Sequence, residues 1–196
     1  MSGRGQYDRN QTKRERRAGQ KRAILGAAIQ VLASSGWADA SVEAVIQKAG
    51  VSRRTFYEHF GALDDVLFKI YDNAAEAALG AVRVSMMEQP TPEARIRAGV
   101  RVFLRLVADN PELARVVLRE VRAAGPRYER RREALDDRFA DMIVSVAGGD
   151  PVAALAVVGA VTAVGLRFVE RHEEAALATA SAAIERMAVS ALLSSS

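Results

Sequence analysis

Residues 41–60 read SVEAVIQKAGVSRRTFYEHF, and this stretch predicts two short helices joined by a tight turn. Ser41 can cap the first helix, which runs through Lys48, and Gly50 can end it in a left-handed conformation. Ser52 can cap the second helix. Two short helices at this spacing are typical of a helix-turn-helix, whose second helix enters the major groove of DNA.

The second helix has an inward and an outward side. Phe56 and Phe60 are four residues apart and face the core. The outward side carries residue types that bind phosphates or base edges, and arginine can donate two hydrogen bonds to guanine. The predicted DNA-facing residues are Ser41, Ser52, Arg53, Arg54, Thr55, Tyr57 and His59. A protein-binding or structural helical bundle with a solvated basic face, without specific DNA binding, remains the alternative.

The segment before this motif is strongly basic. Its first 22 residues hold eight Arg or Lys and two acidic residues, in a chain whose net charge is +4. Such a segment suits contact with a polyanion, although a solubilising tail has the same composition. We predict a flexible basic arm over residues 1–18 and a first helix from Gln20 to Ser35, which Gly36 ends.

Several separated elements in residues 24–60 resemble the TetR family of regulators. They are ILGAA at 24–28, Gly36-Trp37, Ser41-Val42 and AGVSRRTFYEHF at 49–60. The resemblance implies an N-terminal DNA-binding domain, a divergent ligand-binding part and a repressor. The family commonly continues with Gly-Ser-Lys-Glu, whereas this chain has GALD at 61–64. We therefore predict no phosphate contact from Leu63, while the backbone amides that open the next helix can still face a phosphate.

The rest of the chain also predicts helices. Strand patterns are almost absent, and proline-containing breaks follow Gln89, Asp109, Ala124 and Ala147. A long fourth helix is predicted from about Ala62 towards Met87, and the last from Ala175 to Leu193. We predict an all-α protein of about nine helices, with a helix-turn-helix domain at 19–61 and a regulatory bundle for ligand binding and dimerisation at 62–196.

Composition narrows the class of protein. The chain has no cysteine, which excludes disulfides and thiolate metal sites. The apolar run at 152–166 is shorter than the roughly 20 residues of a membrane span, and no apolar signal segment opens the chain, so we expect a cytoplasmic protein. His59 and His172 lack the Glu three positions earlier that di-iron bundles use. We predict no enzyme activity, no metal and no cofactor.

A ligand site is expected inside the bundle. A small, largely apolar effector is predicted to bind between helices four and eight and to release operator DNA through a tilt of helix four. The candidate contacts are Tyr71, Phe103, Val107, Val117, Tyr128, Phe139, Met142, Thr162 and Phe168. Plain core packing is the alternative for these residues.

A homodimer is expected through the last two helices. One recognition helix reads too few bases, and small residues at spacings of three and four let a second backbone come close. The candidate contacts are Ala156, Gly159, Ala160, Ala163, Leu166, Leu177, Ile184 and Met187. Internal packing is again the alternative.

The remaining charged groups are predicted to be solvated. Arg97, Arg101 and Arg105 lie four apart on one helix face, where we expect them to pair with nearby acids. The arginines at 127 and 130–132 and the adjacent acids at 136–137 are likewise assigned to the surface.

Overall fold

The computed structural model describes residues 4–193, and the side chains of residues 12–173, 176–177 and 180–193. Every regular element within residues 4–193 is helical. The helices are α1 (Arg4–Asp39), α2 (Val42–Ala49), α3 (Arg53–His59), α4 (Leu63–Met87), α5 (Pro92–Asp109), α6 (Pro111–Arg115), a π-helical turn (Val116–Glu120), α7 (Val121–Ala123), α8 (Pro126–Ala147), α9 (Pro151–Arg171) and α10 (Glu174–Leu193). Because α6, the π-helical turn and α7 are continuous, the described residues form nine helical segments, which confirms the predicted fold class.

The chain divides into two compact units. The first ends at Ile70 and the second begins at Tyr71, so the division falls within α4. The domain boundaries predicted at residues 18 and 61 stay predictions.

The capping groups of α2 and α3 explain where these short helices begin and end. Ser41 Oγ accepts a hydrogen bond of 3.2 Å from the Ala44 amide. Gly50 ends α2 in the left-handed region at φ 63°, which favours glycine. Ser52 Oγ accepts from the Thr55 amide at 3.1 Å and thereby opens α3. The predicted caps are confirmed.

The start of α1 differs from the prediction. The helix begins at Arg4 rather than Gln20, so most of the predicted arm is helical. Arginine, lysine, glutamine and glutamate favour helices, but the segment has no apolar periodicity that would have predicted one. Gly36 interrupts the helix with φ 78°, at the position where the predicted break falls.

The second unit has its own apolar core. α9 is the one helix in the described part of the chain that is long and apolar enough to cross a membrane. Ala154, Val157, Val161 and Val169 of this helix are buried in the bundle. On α5, Arg97 pairs with Glu93, and Arg101 pairs with Glu185 of α10 at 2.8 Å. These ion pairs confirm the predicted role of both arginines.

Candidate functional site

The recognition surface consists of the outward side of α3. Phe56 is fully buried and its ring lies 6.1 Å from that of Phe60, so these two residues anchor the helix. Tyr57 is 50% exposed, and Arg53 and Arg54 are also exposed. The predicted division of α3 into anchoring and outward residues is therefore correct.

The two arginines have weak partners in the free protein. Arg53 forms an ion pair with Glu43 of α2, and Arg54 Nε donates to Glu58 at 2.9 Å. Exposed ion pairs contribute about 0 to 1 kcal/mol, so DNA can replace either carboxylate at little cost. Both arginine side chains therefore stay exposed to solvent while they form these pairs.

The hydroxyl groups of the motif are committed first to structure. Ser41 and Ser52 cap their helices, and Ser52 Oγ lies 2.9 Å from Thr55 Oγ1. A hydroxyl that accepts a backbone hydrogen bond keeps its own proton for donation. Ser41 is exposed, so it can cap α2 and donate to a phosphate; at Ser52 and Thr55 one hydroxyl donates to the other, which leaves one proton of the pair for a phosphate.

α1 brings basic side chains against the end of α3. Arg17 donates to the Glu58 carbonyl at 3.3 Å, and the Lys21 ammonium lies 5.6 Å from the centre of the Phe60 ring. The neighbouring exposed cations on α1 are Lys13, Arg14, Arg16 and Arg22. The side chains of Arg4 and Arg9 lie outside the described residues. The described cations place positive charge on the same unit as the recognition helix.

His59 is the last residue of α3, and its side chain contacts α1. Its Nε2 lies 3.3 Å from Gln20 Oε1, and the ring is half-buried. Burial lowers the pKa of His59 below its usual range, and the nearby positive charges of Arg17 and Lys21 lower it further. The ring is therefore neutral at pH 7 in the free protein.

The residues before α4 limit one expectation, because two of the backbone amides there already have a partner. The Gly61 and Ala62 amides donate to Asp65 Oδ2 at 3.0 and 3.2 Å, so these amides are not open to a phosphate. Asp64 adds a second acid in the same turn. The carboxylate satisfies these two amides, and its charge opposes an anion; a phosphate contact from the amides of α4 itself stays a prediction.

The second unit contains an apolar cavity of about 130 Å³. Five of the nine predicted ligand contacts line it, namely Tyr71, Phe103, Val117, Phe139 and Thr162. Val107 and Tyr128 are buried elsewhere in the unit, while Met142 and Phe168 pack against its core. These four are corrected to packing residues, because apolar periodicity does not distinguish a cavity wall from closed core.

Sequence reasoning missed the polar end of this cavity. Arg122, Arg132 and Asp136 line it, whereas the last two were assigned to a solvated surface. Arg132 forms an ion pair with Asp136. Burial raises the pKa of Asp136 although the positive charge of Arg132 lowers it. The signal was available, since residues 132, 135, 136 and 139 share one face of α8.

The predicted dimer contacts fall into two groups. On α9, Ala156, Gly159 and Ala163 are exposed, as are Leu155 (42%) and Val152 (74%); Ala160 and Leu166 are half-buried. On α10, Met187 is 39% exposed. Leu177 and Ile184 are buried inside the bundle, so they are corrected to core residues. We call the six exposed residues Val152, Leu155, Ala156, Gly159, Ala163 and Met187 the α9–α10 apolar surface.

A capped pair of short helices with exposed arginines on the second defines a helix-turn-helix protein. Residues 24–70 match the family described as "Bacterial regulatory proteins, tetR family". These residues are thus similar to the TetR family, and the match covers the helix-turn-helix and the start of α4.

Relatives extend the likeness beyond the motif. The HTH-type transcriptional regulator EthR of Mycolicibacterium smegmatis is 31% identical over 94 residues, which cover 47% of this chain and 43% of that protein. The match thus spans less than half the length of this relative.

Solved structures share the fold of most of the chain. The fatty acid degradation regulator FadR of Bacillus halodurans has a TM-score of 0.78 and 19% identity, covering 87% of this chain and 94% of its own. FadR of Bacillus subtilis, in complex with stearoyl-CoA, has a TM-score of 0.77 and 19% identity, covering 87% and 98%. At these identities the likeness concerns the fold alone.

Proposed function

We propose that this protein is a DNA-binding transcriptional repressor that acts as a dimer and leaves its operator when a small apolar effector binds. The observation that carries the proposal is α3, a helix anchored by Phe56 whose exposed side presents Arg53, Arg54 and Tyr57. A major groove about 12 Å wide admits such a helix. The exposed cations of α1 would add phosphate contacts. No catalytic role is proposed, and the protein would act in the cytoplasm.

Recognition of bases is assigned to the two arginines. A guanidinium that donates two hydrogen bonds to guanine O6 and N7 contributes about 1 to 3 kcal/mol of discrimination. Ser52, Thr55, Tyr57 and His59 are assigned to phosphates or base edges, with Ser41 at the start of α2. Operator sequence would therefore depend mainly on Arg53 and Arg54.

The test begins by selecting genomic fragments with the purified protein, which yields operator sequences. Arg53→Ala and Arg54→Ala are then titrated with operator and with random duplex, beside the control Arg130→Ala, an exposed arginine of α8. Each recognition variant should weaken operator binding by about 1 to 3 kcal/mol for each half-site and relax one base position in each. If both bind operator as the parent does, α3 is not the reading helix. If the parent itself shows no salt-dependent binding to duplex or heparin, the proposed regulator is wrong and the alternative of a protein-binding or structural helical bundle takes its place.

A dimer is proposed through the α9–α10 apolar surface. Its occupant would be a second copy of the chain, because a two-fold axis would place two recognition helices on half-sites about one helical turn apart. A Cβ at Gly159 would meet no atom within 4 Å in the single chain, so the backbone there is open to a second helix. The small side chains of Ala156 and Ala163 would let the partner helix come close.

An effector is proposed for the cavity of the second unit. Its apolar wall and few polar groups are typical of ligand sites. The stearoyl-CoA held by FadR of Bacillus subtilis supports an effector with an apolar chain in a bundle of this fold. A hundredfold drop in operator affinity requires about 2.7 kcal/mol of coupling between the two sites. Bound operator must then lower the affinity for the effector by the same factor. Movement along α4, which spans residues of both units, would carry this coupling.

A further inference from the structure

The lining of the cavity of the second unit extends along α4. It reaches from Tyr71 to Met86, which is about 22 Å at the helical rise of 1.5 Å per residue. A volume of about 130 Å³ is small for a lining of this length, so we infer a narrow slot. Three small residues, Ala74, Ala75 and Ala78, form the middle of the wall. A slot of this form fits an unbranched chain better than a fused ring system.

The two ends of the slot differ in polarity. Tyr71, Arg122, Arg132 and Asp136 form one end, and the charges of Arg132 and Asp136 act on the Tyr71 hydroxyl. Arg122 acts on Asp136 and therefore belongs to the same group. The α4 wall at the other end is Val82 and Met86. A ligand with one polar and one apolar end would thus bind in a single direction.

Two hydrogen-bond donors at the polar end have no acceptor. Arg132 is already paired with Asp136 and Glu129. Tyr71 is only 4% exposed, and within the described part of the chain its hydroxyl makes no hydrogen bond. Arg122 is exposed at the mouth and likewise has no ion pair among the described side chains. Burial raises the pKa of Tyr71 to about 12, so its hydroxyl keeps its proton at neutral pH.

The charged side chains at the polar end of the slot indicate which chemical groups the ligand should carry. Arg132 pairs with both Asp136 and Glu129, and Arg122, whose charge acts on the same two acids, is the cation of this group without a direct ion pair among the described side chains. Tyr71 lines the cavity and its hydroxyl has no hydrogen bond among the described residues, so a ligand that displaces water from the cavity should supply an acceptor to it. A negative charge beside Arg122 would form a charge-assisted hydrogen bond, the stronger kind.

We propose that the slot binds a long, unbranched acyl chain whose carbonyl oxygen accepts from Tyr71 and whose negative charge lies at Arg122. This inference rests on the proposed effector site and names its ligand class. A free fatty acid offers both features in one carboxylate. An acyl thioester offers the carbonyl at Tyr71 and a phosphate at Arg122.

The first test measures heats of binding to the full chain, without DNA, below micellar concentrations. Palmitate, palmitoyl-CoA and hexadecanol share one alkyl chain and differ at the polar end. At least one anionic compound should bind about tenfold or more tightly than the alcohol, and the tighter one identifies the source. Arg122→Gln should remove that preference and Tyr71→Phe should reduce it, while the control Arg130→Gln should keep it.

The second test measures chain length. Ala78→Leu places a larger side chain in the middle of the slot, so the variant should bind octanoate but lose palmitate at least tenfold, with an unchanged helical spectrum. Equal binding of alcohol and acids, unaffected by Arg122→Gln, would overturn the assigned polar end. Binding of none of these compounds would overturn the acyl chain itself. Either result leaves operator binding untouched, because that is measured on DNA with Arg53→Ala and Arg54→Ala.

Discussion

The two units of this protein differ in where their proposed binding groups lie. In the first unit the groups are on the surface, and in the second unit they are inside the core. The first unit closes its core around Phe56 and exposes arginines for a partner outside. The second unit leaves a slot within its core and places its proposed ligand groups there. DNA has a fixed shape and charge, which restricts the exposed residues of the first unit. A slot requires only apolar walls of suitable volume, which many side chains can supply. This difference explains why the family match covers residues 24–70 while the likeness of fold extends further.

The largest expected effect tests whether the two cores differ as described. Phe56→Ala removes a fully buried ring from a closed core and should cost about 3 to 5 kcal/mol of unfolding free energy. Phe139→Ala removes a ring that faces the slot, where some packing partners are already missing, and should cost less. Urea unfolding followed by hydrogen exchange in each unit would measure both.

Local unfolding separates the outcomes of this pair. Phe56→Ala should expose the amides of α2 and α3 while those of α9 stay protected. Equal losses in the two variants would mean that the slot closes in solution and that the contrast between the cores is wrong.

The sequence predicted the first unit well because its signals are local. Ser41, Gly50 and Ser52 act through hydrogen bonds or backbone conformation within a few residues, and each lies where expected. The start of α1 was missed because the residues after Arg4 favour a helix only by propensity. The π-helical turn at Val116–Glu120 could not be predicted from the spacing of apolar residues either, although it contributes Val117 and Leu118 to the lining of the slot.

The second unit shows what periodicity cannot decide. Ile184 and Met187 lie three apart on α10 and look alike in the sequence, yet one is buried and the other exposed. Their difference depends on which helix lies opposite, and this is tertiary information. Asp136 was missed for the same reason. Its charge predicted a solvent-exposed side chain, whereas its position on α8 places it in the lining of the slot.

The next prediction compares two exposed helical glycines. Gly159→Leu on α9 should turn the dimer into monomers and weaken operator binding about a hundredfold or more, because linked half-sites gain avidity. Gly80→Leu on α4 is the matched control, since a Cβ at either glycine meets no atom within 4 Å. Light scattering and operator titration would measure both. A dimeric Gly159→Leu would move the dimer contact away from the α9–α10 apolar surface.

A smaller effect would sharpen the role of α1. Replacing Lys13, Arg14 and Arg16 with Gln removes three exposed cations from the first unit. If each contacts a phosphate in both copies of the proposed dimer, six contacts are lost and the slope of log affinity against log salt should become shallower by about 5.4, at about 0.9 per contact. The control replaces Arg83, Arg105 and Arg130 of the second unit, an equal change in charge. Identical slopes for the two triple variants would reduce α1 to a solubilising segment.

The smallest expected effect concerns proton uptake by His59. Burial and the charges of Arg17 and Lys21 lower its pKa in the free protein, whereas a nearby phosphate would raise it. Operator affinity should therefore rise, by less than about tenfold per pH unit for one proton, as pH falls through the range between the free and bound pKa values. Fold stability should change in the opposite direction. The unfolded chain has the higher pKa, so the contribution of His59 is present above the ordinary pKa and is lost as pH falls through the folded value. His59→Gln should flatten both dependences, measured by operator titration and by unfolding across pH. An affinity profile that Gln leaves unchanged would place the titrating group elsewhere and remove His59 from the DNA-facing set.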